Sequence, residues 1–171
     1  MLAMLVLGGL AGCLDNDPLP GGGDTFIAMQ ADFAEFSTWS NTDVAQQDTG
    51  HVAGDRTVYV NALPAADATS FPVGTMIVKT IDWSGGTDIH AMVKRGGDYN
   101  PDGALGWEWF ELTLSGDTPV IKWRGEAPPA GEQYQQIPGM SQDSGVTVTG
   151  DCNTCHGAEA GANDYVHTIP L

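Results

Sequence analysis

Five short segments alternate apolar and polar side chains at the two-residue period of a β-strand: residues 56–61 (RTVYVN), 75–83 (TMIVKTIDW), 89–95 (IHAMVKR), 107–114 (WEWFELTL) and 120–124 (VIKWR). Turn residues divide most of them, among them Pro72 with Gly74 and Pro101-Asp102-Gly103. With 23 glycines and ten prolines in 171 residues, the chain favours short strands over long helices. One helical face precedes the strands. Phe26, Met29, Phe33 and Phe36 recur at spacings of 3, 4 and 3, and Asp24 or Thr25 is placed to cap that helix. The pattern predicts a mainly β (α+β) fold, an antiparallel sheet of about five strands with a leading helix. The length suits one core, which places the domain at residues 25–171.

Alternation also sorts side chains between the two faces. Along residues 107–114, Glu108, Phe110, Leu112 and Leu114 share one face, and Trp107, Trp109 and Glu111 the other. Lys79 falls on the face of Ile77 and Ile81. A lysine between two isoleucines either loses its charge, finds an acid or reacts, or else it snorkels out at a sheet edge.

Charge removes one class of partner. Acidic side chains number 22 against 6 basic ones, a formal charge of −16, and the six cations are scattered. Nothing here neutralises phosphates, so nucleic acid is excluded. The same surface keeps an exported protein soluble; attraction of a basic redox partner is the sharper alternative reading.

Residues 1–12 (MLAMLVLGGLAG) are uncharged and apolar, too short to span a bilayer core of roughly 30 Å. They lead into Leu10-Ala11-Gly12-Cys13, which is similar to the lipobox of bacterial lipoproteins, although no Lys or Arg opens the run. A start further upstream would account for that. The expectation is a signal peptide over 1–12, lipidation at Cys13, and a flexible tether over 13–24, rich in Pro, Gly and Asp. The protein would then face the periplasm or the cell surface, held to a membrane by its lipid. The other reading is a buried N-terminal element with an incidental cysteine.

Cys152-Asn-Thr-Cys155-His156 is the attachment signature of a c-type haem. Two thiols one helical turn apart reach the two vinyl groups along one porphyrin edge, and the next residue offers an imidazole to the iron. A small disulfide between Cys152 and Cys155, or half of a zinc site completed by His156 and His167, are the plainer readings. The motif stands near the C-terminus: 15 residues come after it, none of them Met, and Met140 lies twelve residues before Cys152. The sixth iron position is therefore filled from elsewhere, by His167, or left open to a small molecule.

Phe71-Pro-Val-Gly-Thr-Met-Ile-Val-Lys79, Met92-Val-Lys-Arg95, Gly106-Trp-Glu-Trp-Phe110 and Cys152–His156 succeed one another in the order of the cytochrome P460 family, which the chain resembles over residues 25–160. Trp39 and Val58-Tyr-Val-Asn61 look like the family's opening. The resemblance implies a mostly β, usually dimeric protein with one covalently attached haem c. That family includes hydroxylamine-oxidising members and the cytochromes c′-beta, which bind nitric oxide. By the same resemblance, Cys152 and Cys155 hold the haem and His156 is the proximal ligand. Lys79 matches the lysine that cross-links to the porphyrin in true P460 members. Arg56 matches a distal arginine, and Asp102 or Glu108 a distal carboxylate. Phe33, Phe36, Phe71 and Phe110 are the aromatics available to cap the iron in a c′-beta-like site.

Two functions of different class are thereby open: an oxidoreductase acting on hydroxylamine or a related nitrogen compound, and a module that binds nitric oxide or carries one electron to a redox partner. A haem-free acidic lipoprotein with a Cys152–Cys155 disulfide is the third.

Overall fold

The computed structural model describes residues 25–45, 51, 53–130 and 152–171. The signal segment, Cys13, the tether, Asp24 and Met140 lie outside the described residues.

Six strands form one antiparallel sheet in which spatial order equals chain order. They are β1 (Ser40–Val44), β2 (Asp55–Val60), β3 (Met76–Trp83), β4 (Gly86–Lys94), β5 (Trp107–Ser115) and β6 (Thr118–Gly125). The five segments read from alternation are β2 to β6. The sixth, β1, is polar and largely exposed, so it carries no buried alternation to read. It is a strand because its backbone pairs with β2, from Ser40↔Val60 to Val44↔Arg56.

The expected leading helix is replaced by two 3-10 turns, Gln30–Phe33 and Phe36–Thr38. Residues three apart eclipse in that geometry, so Phe33 and Phe36 drop together onto the sheet while Met29 stays 61% exposed. The N-cap of the first turn is Met29 and not Thr25. Asp32 caps the turn from inside, its carboxylate accepting the Met29 N–H at 2.6 Å.

Each face of the sheet carries its own core. The rear face packs Met76, Val78, Ile89, Ala91, Val93, Phe110 and Leu112 against Ala28, Phe33 and Phe36. The front face packs Val58, Val60, Ile77, Met92, Trp107 and Trp109 against Phe71, Val166 and Ile169. Each fully buried side chain of this size contributes about 1.5–3 kcal/mol. The front face is closed by the C-terminal segment: helix α1 (Cys152–His156), a 3-10 turn (Gly157–Glu159) and helix α2 (Ala160–Asn163). Asn163 ties down the C-terminal tail, donating to the Val166 and Ile169 carbonyls and accepting the Leu171 N–H.

Candidate functional site

The short helix α1 is seated by one side chain. Asn153 Oδ1 accepts from Asn100 Nδ2 at 2.8 Å, Trp109 Nε1 at 2.9 Å and Ala104 N at 3.1 Å. Its Nδ2 donates to the Glu126 carbonyl at 2.9 Å. Gly103 makes this possible, because a Cβ there would run into the Asn153 amide and Asn100 Oδ1. The residue between the motif's first cysteine and its threonine thus fixes the helix on the sheet.

His156 is set by two contacts. Its ring lies 4.7 Å from that of Trp109, and Nδ1 sits 2.6 Å from the Tyr165 carbonyl. A carbonyl only accepts, so Nδ1 carries the proton and Nε2 keeps its lone pair. Burial pushes the His156 pKa down to about 4; the Tyr165 carbonyl opposes this, while His167 and Lys79 add to it. The imidazole is neutral at pH 7, the form that ligates a metal.

Cys152 is half-buried against the front core and Cys155 is exposed, and both are thiols. Among the described residues, no three His, Cys, Asp or Glu side chains converge as a metal site of their own.

Sheet register brings further groups to this face. Val58, Lys79, His90, Glu111 and Trp123 are successive cross-strand partners on β2 to β6. Lys79 therefore lies on the side of Ile77 and α1, as alternation predicted. Burial first, then the Arg56 guanidinium, pushes its pKa down to about 8, and the two cysteines pull it the other way. Arg56 is buried on the same face, opposite Ile81. His90 is pushed to about 3 by burial, then by Lys79 and Lys122. The His51 ring stands 4.7 Å from it, its pKa held far below the usual range by burial and then by Lys79, His90, Arg56 and His156.

A register shift between Glu111 and Leu112 lets the Glu111 carboxylate take both Lys122 Nζ at 2.8 Å and Trp123 Nε1 at 2.7 Å. No family model, curated protein or solved structure matches this chain. The site is therefore read from its own geometry.

That geometry gathers Lys79, Arg56, Cys152, Cys155 and His156, and leaves out Glu108. Glu108 lies on the rear face, 2% exposed, bound by Arg124 through Nε and Nη2 at 2.7 Å each and by Arg95 at 3.4 Å. It clamps the sheet to the first residues of the domain, since Arg124 also donates to the Ala28 carbonyl. Asp102 lines an open pocket of about 420 Å³ with Gly103, Asn153, Thr154 and Tyr165, beside α1. Phe33, Phe36 and Phe110 belong to the rear core, while Phe71 packs on Trp107, ring centroids 5.8 Å apart. His167 is held by its own contacts, Nε2 to the Cys155 carbonyl at 3.1 Å and Nδ1 to Glu159 at 3.5 Å. It stands beside His156, ring centroids 4.8 Å apart, not across from it.

His51, His90 and Glu111 join the face without belonging to any of the sequence motifs. Alternation had already set Glu111 on the face of Trp107 and Trp109, and His90 carried a usable signal as well. Trp83 and Gly86 close a hairpin around Ser84-Gly85, and counting back along it sets Lys79 opposite His90.

Proposed function

We propose that the chain is an exported, membrane-tethered monohaem c-type cytochrome resembling cytochrome P460, with an iron site open to small nitrogen compounds. The donor set fits the group: two thiols on one helical turn and a neutral imidazole with Nε2 unprotonated. The observation that carries the reading is the Nδ1–H of His156 fixed on the Tyr165 carbonyl at 2.6 Å, within a motif docked on the front face of the sheet.

In this reading each thiol adds across one vinyl group, sulfur to the inner carbon and hydrogen to the outer one, so attachment needs no oxidant. His156 Nε2 is the proximal ligand. Once bound, the haem supplies a redox-active iron with an axial position for a small ligand. His167, engaged with Cys155 and Glu159, leaves that position open.

Hydroxylamine oxidation is favoured over nitric oxide storage by what the front face presents. Three of the four phenylalanines considered as a cap are in the rear core, whereas Lys79, Arg56, His51 and His90 are on the front. Oxidising a nitrogen hydride releases protons, and Lys79, lowered to about 8 by burial and Arg56, is the group on this face whose uncharged form is reached just above neutral pH and can accept one. Electrons leave to a redox partner. Cys13 provides the lipid anchor, the tether sets reach from the membrane, and a homodimer is part of the proposed family likeness.

The deciding experiment is an absorption spectrum of the full chain made with a c-type haem maturation system, native and as the pyridine haemochrome. A c-type haemochrome at one haem per chain is expected. Protein without haem would leave only the disulfide lipoprotein. A red-shifted Soret band that persists on denaturation, and is lost in Lys79→Met, would mark a modified porphyrin.

A further inference from the structure

Asp164 and Tyr165 adopt consecutive left-handed backbone conformations, at φ 47° and 69°. Asp tolerates this region, but a residue as bulky as Tyr rarely enters it, at a cost on the order of 1–3 kcal/mol. Such a turn persists only where its surroundings hold it. Here they hold Asp164 at three atoms. Oδ1 binds Lys94 Nζ at 2.7 Å, Oδ2 accepts the Phe71 N–H at 2.9 Å, and the carbonyl accepts Trp107 Nε1–H at 2.9 Å.

Lys94 is itself fixed. Its ammonium lies 5.0 Å over the Trp107 ring and donates to the Leu105 carbonyl at 3.3 Å. Gly106, at φ 81°, leaves the space: a Cβ there would stand 3.3 Å from Lys94 Nζ. The ion pair is mostly buried, with the two side chains 12% and 11% exposed. One residue beyond these anchors is the carbonyl that receives the His156 Nδ1–H.

We infer that Asp164, clamped by Lys94 and the Phe71 N–H, is a positioning residue that sets the donor strength of His156 through the Tyr165 carbonyl. A short Nδ1–H···O bond moves electron density toward Nε2 and fixes which nitrogen is bare. Without the anchors, the strained turn relaxes toward ordinary backbone, the bond lengthens, and Nε2 becomes a poorer donor. The redox consequence rests on the haem reading above; the imidazole tautomer does not.

The test has two arms. In the haem-free chain, nitrogen-15 NMR of His156 should show the Nδ1–H tautomer. Asp164→Gly, which keeps left-handed freedom but removes both carboxylate anchors, should move the tautomer ratio at least about fivefold toward Nε2–H. In the haem-loaded chain, Asp164→Gly should raise the ferrous-to-ferric ratio at fixed ambient potential about tenfold, about 59 mV for one electron. The iron–histidine stretching frequency should fall. Asp164→Asn keeps an oxygen for the Phe71 N–H and should recover part of both effects, with Lys94→Met similar to it. These two variants carry the comparison if Asp164→Gly does not fold. An Nε2–H tautomer in the unaltered chain overturns the inference, as do an unchanged potential and stretch in every haem-loaded variant. A chain that takes up no haem defeats the cytochrome reading instead, while the NMR arm still decides the role of Asp164.

Discussion

Lys79 on β3 and His90 on β4 are direct cross-strand partners on the face covered by α1. Directly opposed side chains lie about 4.5–5.5 Å apart at Cβ. At that range the Lys79 ammonium adds to burial in lowering the affinity of His90 for protons, so the pair is an acid-labile feature of the sheet.

His90 gives a stability slope in acid. Unfolded, it takes a proton near 6.5; folded, it resists until about 3. Between those values the unfolded chain binds more protons, so stability falls as pH drops from 6.5 toward 3, by up to about 1.4 kcal/mol per unit. Urea melts of the haem-free chain at pH 7 and pH 5 should show the loss, and His90→Leu should reduce it. His51 adds to the slope in the same direction.

Lys79 gives the opposite end of the curve. Its folded pKa of about 8 lies below the unfolded value of 10.5. Stability therefore rises as pH increases from 8 to 10.5, and Lys79→Met flattens that rise while stabilising the haem-free chain at pH 7 by about 1–3 kcal/mol. In the proposed cytochrome the attachment thiols are Cys152 and Cys155, so the same variant should leave the yield of covalently bound haem unchanged and should slow hydroxylamine oxidation at least about tenfold.

Asn153→Ala should release α1. It strips Trp109 Nε1 and Ala104 N of their acceptor, each worth about 1–3 kcal/mol when buried and unmet, and leaves Asn100 Nδ2 only the Trp107 carbonyl. Hydrogen exchange should accelerate across residues 152–171 while β3 to β5 remain protected. Gly103→Ala should give the same pattern, because its methyl group takes the space of the Asn153 amide.

Glu108→Gln should cost about 2 kcal/mol of stability, as two arginines lose a buried carboxylate whose partners are themselves 27% and 29% exposed. The haem spectrum should not change. A large effect on hydroxylamine turnover in folded Glu108→Gln protein would contradict its rear-face placement.

The strands were legible because burial on two faces imposes a period, and the positions of Lys79, Trp107 and Trp109 came from it. Beyond that period the sequence was silent. β1 buries almost nothing, and Phe33 and Phe36 sit at the same i, i+3 spacing in a 3-10 turn as in a helix. Glu108 entered as a candidate acid through the family resemblance alone; what holds it on the rear face is Arg124, sixteen residues away across the β5–β6 hairpin, which no local pattern announces. The cysteine–histidine motif announced its own donors. Their orientation, set by Asn153, Asp164 and the Tyr165 carbonyl, depends on contacts between residues far apart in the chain.

A sheet whose strand order equals its chain order pairs each strand only with its neighbours in the chain, and two of its connections, β3–β4 and β5–β6, are tight turns. Residues 152–171 are different: Val166 and Ile169 reach a core whose other walls were made by β2 to β6. The strands are thus in place as a finished template before the last part of the chain can join them. In the proposed cytochrome, an enzyme attaching haem at Cys152 and Cys155 would therefore need to lift only this stretch away, while the sheet behind it remains intact.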